Sequence, residues 1–456
     1  MMRTLASFAA ACGGRLQGED RSYSQVSTDT RTLARGELFV ALRGPRFNGN
    51  EFVAAAHAAG AAGAVGDAPQ ATPLAQVIVA ESQAALTRAA QNWRGRFDIP
   101  VIGVAGSNGK TSTKEMTAAI LARLGACLAT RGNLNNHIGV PLTLLRLAAE
   151  HRFAVIEMGA NQSGDVAALV ELAAPTIGLI TNAGAEHLEG FGTLEAAARA
   201  EGEMVEGLPA AGTAVINADD PYAPLWRAVT RASVVSFGMT AGAAWRAEAV
   251  HFEVDAHGFK TRFTIAGPLG RADVALELAG RHNVMNALGA AAAAAAAGAS
   301  LEHIVAGLAT VRAVPGRLQF KRARSGAWLI DDSYNANPSS VRAGIEVLAQ
   351  LDGKKWLVLG DMAELGDFAQ ASHADIGAFA RAHGVERLFA TGSLTVGAVE
   401  SFGAGGQWFA DAPALAAALS ASADAGVRML VKGSRMNRLE RVIEALTAPA
   451  AQPREK

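Results

Sequence analysis

Short apolar runs alternate along this chain with longer stretches of helical periodicity, and that alternation restricts it to parallel α/β architecture. Strands are expected at Val101–Ala105, Phe153–Glu157, Ile177–Thr181, Ala214–Asn217, Ala327–Ile330, Trp356–Leu359, Arg387–Ala390 and Met429–Val431. Helical stretches lie between them, such as Thr111–Leu124, where Met116, Ile120 and Leu124 form one apolar stripe. A chain of 456 residues suggests about three domains. Pro/Gly punctuation near Asp98–Pro100 and at Val314-Pro315-Gly316 marks boundaries, so the expected units are 1–82, 83–313 and 314–456. The first unit is a small, Gly/Ala-rich mixture of strands and helices with no phosphate loop. No fixed-period repeat is present.

Composition narrows the function classes. Lys+Arg 41 against Asp+Glu 42 leaves a net charge of -1, too balanced for a sequence-independent nucleic-acid binder. Half the residues are apolar and 18% are charged, which excludes global disorder. Cys12 and Cys127 are the two cysteines, too few for a disulfide framework or a thiolate zinc site, so a reduced cytoplasmic compartment is expected. Arg3, the apolar run Leu5–Ala11 and Cys12 faintly resemble a lipoprotein signal. Leu5, Phe8 and Cys12 nevertheless fall at i, i+3 and i+7, one face of an ordinary helix. The eight alanines 290–297 lack the larger aliphatic residues that favour insertion into a bilayer. A packed helix is expected there, and no membrane span.

The sharpest motif is Gly106-Ser107-Asn108-Gly109-Lys110-Thr111, placed directly after the strand Val101–Ala105 and opening a helix. Glycines let the backbone turn so that successive N–H groups face one anion, and the helix N-terminus reinforces the site. Lys110 then suits the β/γ-phosphates and the Thr111 hydroxyl suits Mg²⁺. The common pattern needs a Gly at position 104, which is Val104 here, so this is a compact variant. The alternative is a Gly-rich strand-to-helix turn with a surface lysine.

Ligands of an open parallel sheet collect beyond the C-terminal ends of its strands. Glu157 and Asn182 stand at such ends. Glu157 could cap a turn, but beside a nucleotide triphosphate its hard oxygens suit Mg²⁺. His187 follows in a loop and is either a hydrogen-bonding structural residue or a metal ligand. Glu201 falls on the apolar stripe of a helix with Leu194, Ala197, Ala198, Val205 and Leu208. A carboxylate on a buried face is costly unless it is paired or bound to metal.

Taken together, these strings resemble the Mur ligases, ATP-dependent amino-acid-adding enzymes of peptidoglycan precursor synthesis. The loop Val104–Thr111 is followed by Gly132-Asn133-Leu134-Asn135-Asn136, Glu157-Met158-Gly159-Ala160-Asn161 and Ala185-Glu186-His187-Leu188-Glu189-Gly190-Phe191-Gly192. Further on come Arg281-His282-Asn283, Pro315-Gly316-Arg317, Asp331-Asp332-Ser333-Tyr334-Asn335-Ala336-Asn337-Pro338, Leu359–Gly366 and Lys432-Gly433-Ser434-Arg435. They run in order through all three units.

The resemblance implies a UDP-sugar-binding N-terminal domain, a central P-loop ATPase domain with a mainly parallel sheet, and a Rossmann-like C-terminal domain. The set is most similar to the member that joins D-alanyl-D-alanine to UDP-N-acetylmuramoyl-tripeptide. That implies ATP and Mg²⁺ as cofactors, those two substrates as partners, and a monomer. Lys110, Glu157, His187 and Glu201 would be catalytic, and Thr111, Glu157, His187 and Glu201 would hold the metal. Gly106, Ser107, Asn108, Gly109, Lys110, Thr111, Asn283, Arg317 and Asp332 would bind the nucleotide. Ser27, Thr30, Arg31, Asn135, Asn136, Asn335 and Asn337 would contact the other substrates.

Two departures stand out. Phe47-Asn48-Gly49-Asn50 replaces a more usual Asp-Gly-His string, and Glu201 stands where relatives commonly carry a carbamylated lysine. Glu201 would supply that carboxylate directly. The chemistry implied is phosphorylation of the tripeptide carboxylate to an acyl phosphate, followed by attack of the dipeptide amine. Rival readings are the sister ligase adding the third peptide residue, a folylpolyglutamate synthase, and a non-catalytic nucleotide switch. The sister ligase usually carries an Asp-Asn-Pro-Arg string that is absent here.

Overall fold

The computed structural model describes residues 3–186, 188–255 and 258–447. They build three main sheets in succession along the chain. The first has five short strands in the order Arg15–Gln17, Gln76–Ile78, Gly63–Gly66, Leu38–Val40, Val26–Ser27, parallel except where Arg15–Gln17 pairs with Gln76–Ile78. The third has six strands, with Gln319–Arg322 antiparallel at one edge and the rest parallel.

The central sheet has nine strands. Val101–Ala105 lies inside it, between Phe153–Glu157 and Ile177–Ile180 and parallel to both. From Val101–Ala105 the chain crosses to Cys127–Ala129 at the sheet edge and returns to Phe153–Glu157 on one side, then passes to Ile177–Ile180 and Thr213–Asn217 on the other. This is a topological switch point, where a crevice opens beyond the strand ends. All five residues of Val101–Ala105 are buried, as expected of a strand covered by helices on both faces.

The alanines form part of that cover. Helix Arg281–Ala296 buries Ala290 through Ala294 against the sheet and the helix Lys110–Leu121. Gly307, on helix Leu301–Leu308, lies so close that a Cβ there would stand 2.4 Å from the Ile120 Cα. Small residues therefore bring helices onto the phosphate-loop helix, compensating through tight packing for the little area each alanine buries. Among the described residues no helix is long and apolar enough to cross a membrane.

The eight expected strands all form, within a residue or two of the expected bounds. The expected helix Thr111–Leu124 instead spans Lys110–Leu121. Its last turn tightens, with Leu124 N–H donating to the Leu121 carbonyl while the Leu124 side chain still packs on the core. The meander Trp245–Asp255, Gly258–Gly267 and Gly270–Leu276 was not expected. Its first strand joins Ser233–Gly238 in parallel and its own pairings are antiparallel, and its alternately exposed residues make a weaker apolar signal than the buried strands. The N-terminal segment Leu5–Cys12 is a helix with Leu5, Phe8 and Cys12 buried on one face.

Candidate active site

At the switch point the chain leaves Val101–Ala105 and turns through Gly106–Gly109 into helix Lys110–Leu121. Gly106 has φ +122°, and a Cβ there would meet the Thr181 hydroxyl at 2.1 Å. Gly109 has φ +82° and would collide with Asn286. Both positions therefore require glycine, for conformation and for space.

Lys110 folds back over the loop. Its Nζ donates to the carbonyls of Gly106 (2.5 Å) and Ser107 (2.9 Å) and lies 3.5 Å from Glu186. Burial opposes its charge, yet Glu186, Glu201 and Glu157 together outweigh burial and hold its pKa above the ordinary value. Lys110 is thus an ammonium ion tied chiefly to backbone carbonyls, ties that an incoming anion can replace.

Glu157 ends its strand opposite Val104, beside the start of the loop. Its Oε1 accepts from the Thr111 hydroxyl (3.2 Å) and from Asn135 Nδ2 (2.9 Å). Its Oε2 is buried without a hydrogen-bond partner among the described residues. An orphaned carboxylate oxygen beside a threonine hydroxyl matches the hard-oxygen preference of Mg²⁺. No group of three His, Cys, Asp or Glu converges as a metal cage among the described residues. His187 lies outside those residues.

Glu201 is buried, and its Oε2 accepts the Gly106 N–H at 2.6 Å. Burial pushes its pKa up to about 7, against the pull of Lys110 and of the Gly106 amide. It stands behind the loop and does not line the cavity in front of it.

That cavity, about 590 Å³, is walled by the phosphate loop, the 182–186 loop, helix Arg281–Ala296 and the strand ends of the third sheet. Its size suits a nucleotide-sized ligand. Asn283 lines it while donating to the Ala279 carbonyl, and Asn286 donates to Asn283. Arg317 lines it with its guanidinium 4.6 Å from the Tyr334 ring centroid. Asp332 also lines it, but its Oδ2 is committed to Lys432 at 2.6 Å and its Oδ1 to the Leu318 N–H. Burial still holds Asp332 above the usual carboxylate range.

The remaining expected residues divide into two places. Asn135, Asn136, Asn335 and Asn337 reach the cavity, although Asn136 uses its Oδ1 on the N–H groups of Ile138 and Gly139. Ser27, Thr30 and Arg31 do not line it. Ser27 stays within its own turn, and exposed Arg31 pairs with Asp29, holding that carboxyl down to about 2.

Three participants were not among the expected site residues: Lys432, Glu186 and His282. Lys432 ends the strand Val427–Lys432, so its strand-end position was the available signal. Glu186 lines the cavity and accepts from Asn335 Nδ2 at 3.3 Å. Burial, with Lys432 nearby, lowers His282 to about 4 and keeps it neutral.

Comparisons with known proteins agree with this geometry. Family models described as the Mur ligase family catalytic domain, the Mur ligase middle domain and the Mur ligase glutamate ligase domain match residues 22–105, 104–294 and 316–435. A UDP-N-acetylmuramoyl-tripeptide–D-alanyl-D-alanine ligase of Escherichia coli (strain K12) is 43% identical over 445 residues, covering 97% of this chain and 98% of that protein. A crystal structure of MurF from Acinetobacter baumannii superposes with a TM-score of 0.90 at 34% identity, covering 98% of this chain and 99% of that one. MurF ligase from Thermotoga maritima in complex with ADP gives a TM-score of 0.80 at 26% identity, covering 92% and 96%.

Proposed function

This chain belongs to the Mur ligase family, and from that premise we propose that it joins D-alanyl-D-alanine to UDP-N-acetylmuramoyl-tripeptide, driven by ATP, in cytoplasmic peptidoglycan precursor synthesis. One observation carries the reading. A phosphate loop and the strand ends of a separate C-terminal sheet enclose a single cavity, in a chain 43% identical across almost its whole length to an enzyme named for that reaction.

The tripeptide carboxylate takes the γ-phosphoryl group of ATP, ADP leaves, and an acyl phosphate replaces a carboxylate whose own leaving group would be oxide. The dipeptide amine then adds to the acyl carbon. Loss of its proton and of phosphate leaves the amide.

Lys110 would exchange the Gly106 and Ser107 carbonyls for phosphate oxygens, its charge sustained by the carboxylates around it. The loop from Gly106 to Thr111 would cradle the phosphates, and Asn283, Arg317 and Asp332 would bind the rest of the nucleotide. Thr111 and Glu157 would hold Mg²⁺, with His187 as the further ligand expected from the sequence. When bound, that ion would neutralise phosphate charge. Glu201 would brace Gly106 and supply the carboxylate that a modified lysine would otherwise provide. Ser27, Thr30 and Arg31, outside the cavity, would hold the UDP end of a long substrate, with Asn135 and Asn136 nearer its reacting end.

The test is phosphate release with ATP and UDP-N-acetylmuramoyl-tripeptide, comparing D-alanyl-D-alanine with single amino acids as the amine. Release dependent on the dipeptide is expected. Faster release with a single amino acid would assign the chain to another reaction of the family.

A further inference from the structure

Asn108 stands at the crest of the phosphate loop, where a side chain is expected to serve the nucleotide. Its hydrogen bonds lead elsewhere. The backbone is clamped within the central domain: its N–H donates to Asn182 Oδ1 (3.1 Å), while its carbonyl accepts from the Thr181 hydroxyl (2.7 Å) and Asn182 Nδ2 (2.9 Å). The side chain faces the C-terminal domain. Its Nδ2 donates to the Ser339 hydroxyl at 3.0 Å, Ser339 donates to Asn337 Oδ1 at 3.0 Å, and Asn337 Nδ2 donates back to Asn108 Oδ1 at 2.8 Å.

These three side chains form a closed ring in which each group donates to the next. Such rings are cooperative, because every donor is polarised by the bond it accepts. One corner is rigid on each side. Asn337 is buried and caps helix Pro338–Ala349 through the Ser340 N–H, while Asn108 is held by Asn182.

We propose that the Asn108–Ser339–Asn337 ring is the latch that seats the C-terminal domain on the phosphate loop, making Asn108 a positioning residue for the incoming amine substrate. The ring couples the loop that would hold ATP to the wall that would hold the dipeptide, so loop geometry reaches the second substrate through Asn108. This rests on the ligase reading above. A glycine beside the ring supports a close seat: a Cβ on Gly184 would stand 2.9 Å from Asn108 Nδ2 and 3.3 Å from the Ser339 hydroxyl.

The experiment compares full-length wild type, Asn108→Ala, Ser339→Ala, the double variant and Ser339→Thr. Each single alanine variant is expected to raise KM for D-alanyl-D-alanine about tenfold, the effect of one lost hydrogen bond. ATP affinity of Ser339→Ala, measured calorimetrically without the other substrates, should stay within about twofold of wild type. The double variant should be no worse than the worse single, as members of one ring behave, and Ser339→Thr should be close to wild type because it keeps the hydroxyl. Independent multiplication of the two effects, or weakened ATP binding by Asn108→Ala with no effect of Ser339→Ala, would overturn the latch.

Amide exchange over residues 335–341 with a non-hydrolysable ATP analogue gives a readout independent of turnover. Protection in wild type that is lost in both alanine variants supports the ring, and equal protection in all of them overturns it. A wild type that turns over but not with the dipeptide would instead overturn the ligase reading.

Discussion

Two lysines face the same cavity and are held in opposite ways. Lys110, on the phosphate loop, bonds to two backbone carbonyls, and its nearest carboxylate contact is 3.5 Å away. Lys432, at the end of a C-terminal strand, is locked to Asp332 at 2.6 Å and to the Asn335 carbonyl. The first arrangement leaves a cation whose hydrogen bonds go to neutral carbonyls and can be exchanged for those of an anion. The second neutralises a carboxylate inside the domain and ties down the 332–335 turn. One lysine is placed for chemistry and the other for architecture, although both line the same cavity.

The largest expected effect breaks the comparison at Lys110. Lys110→Ala should lower turnover by about 10³-fold, measured as ADP release, while its thermal midpoint stays near that of wild type. Next comes Glu201→Gln, which should cut turnover by roughly 10²-fold or more. Wild-type turnover should not respond to added bicarbonate, because the carboxylate is already in the chain. Turnover near wild type for Glu201→Gln would remove Glu201 from the machinery.

Lys432→Met should instead act on stability, costing about 3–5 kcal/mol in denaturant melts because it strands buried Asp332. Replacing Asp332 by Leu in the same chain should recover most of that loss. If Lys432→Met melts like wild type, the two lysines are not different in kind.

The smallest effect is in pH dependence, measured without nucleotide or metal. Glu201 is raised from 4.5 to about 7, so its folded form binds the proton more tightly. Its stabilising contribution is complete below about 4.5 and is lost as pH rises through about 7. His282 is lowered from 6.5 to about 4, so its contribution is present above 6.5 and is lost as pH falls through about 4. The two slopes oppose each other in wild type. His282→Gln should therefore lose stability as pH rises from 4.5 to 7, and Glu201→Gln should gain it from 4 to 6.5, each by at most about 1.4 kcal/mol per pH unit. Flat profiles in both variants would show that neither group is perturbed.

Much of the site was legible because its chemistry is local. A strand, two glycines that tolerate no side chain, a lysine and a threonine follow one another in the chain, and backbone geometry alone sets them at a strand end. Glu157 was legible for the same reason. Glu201 could be flagged as a carboxylate on an apolar stripe, but its partner, the Gly106 amide, lies 95 positions away. Lys432 was visible as part of a string and silent as to role, since its partner Asp332 is 100 positions away. The Trp245–Leu276 meander was missed because half of each strand faces solvent and breaks the apolar run.

The sequence by itself determined the parallel α/β class, the phosphate loop and the strand-end carboxylate, because period, glycine and strand order are written in neighbouring residues. Tertiary structure alone decided which of two similar lysines is held by backbone carbonyls, where Glu201 points, and that Asn108 turns from the phosphates toward another domain. Those outcomes depend on burial and on partners far away in the chain, and a local pattern carries neither.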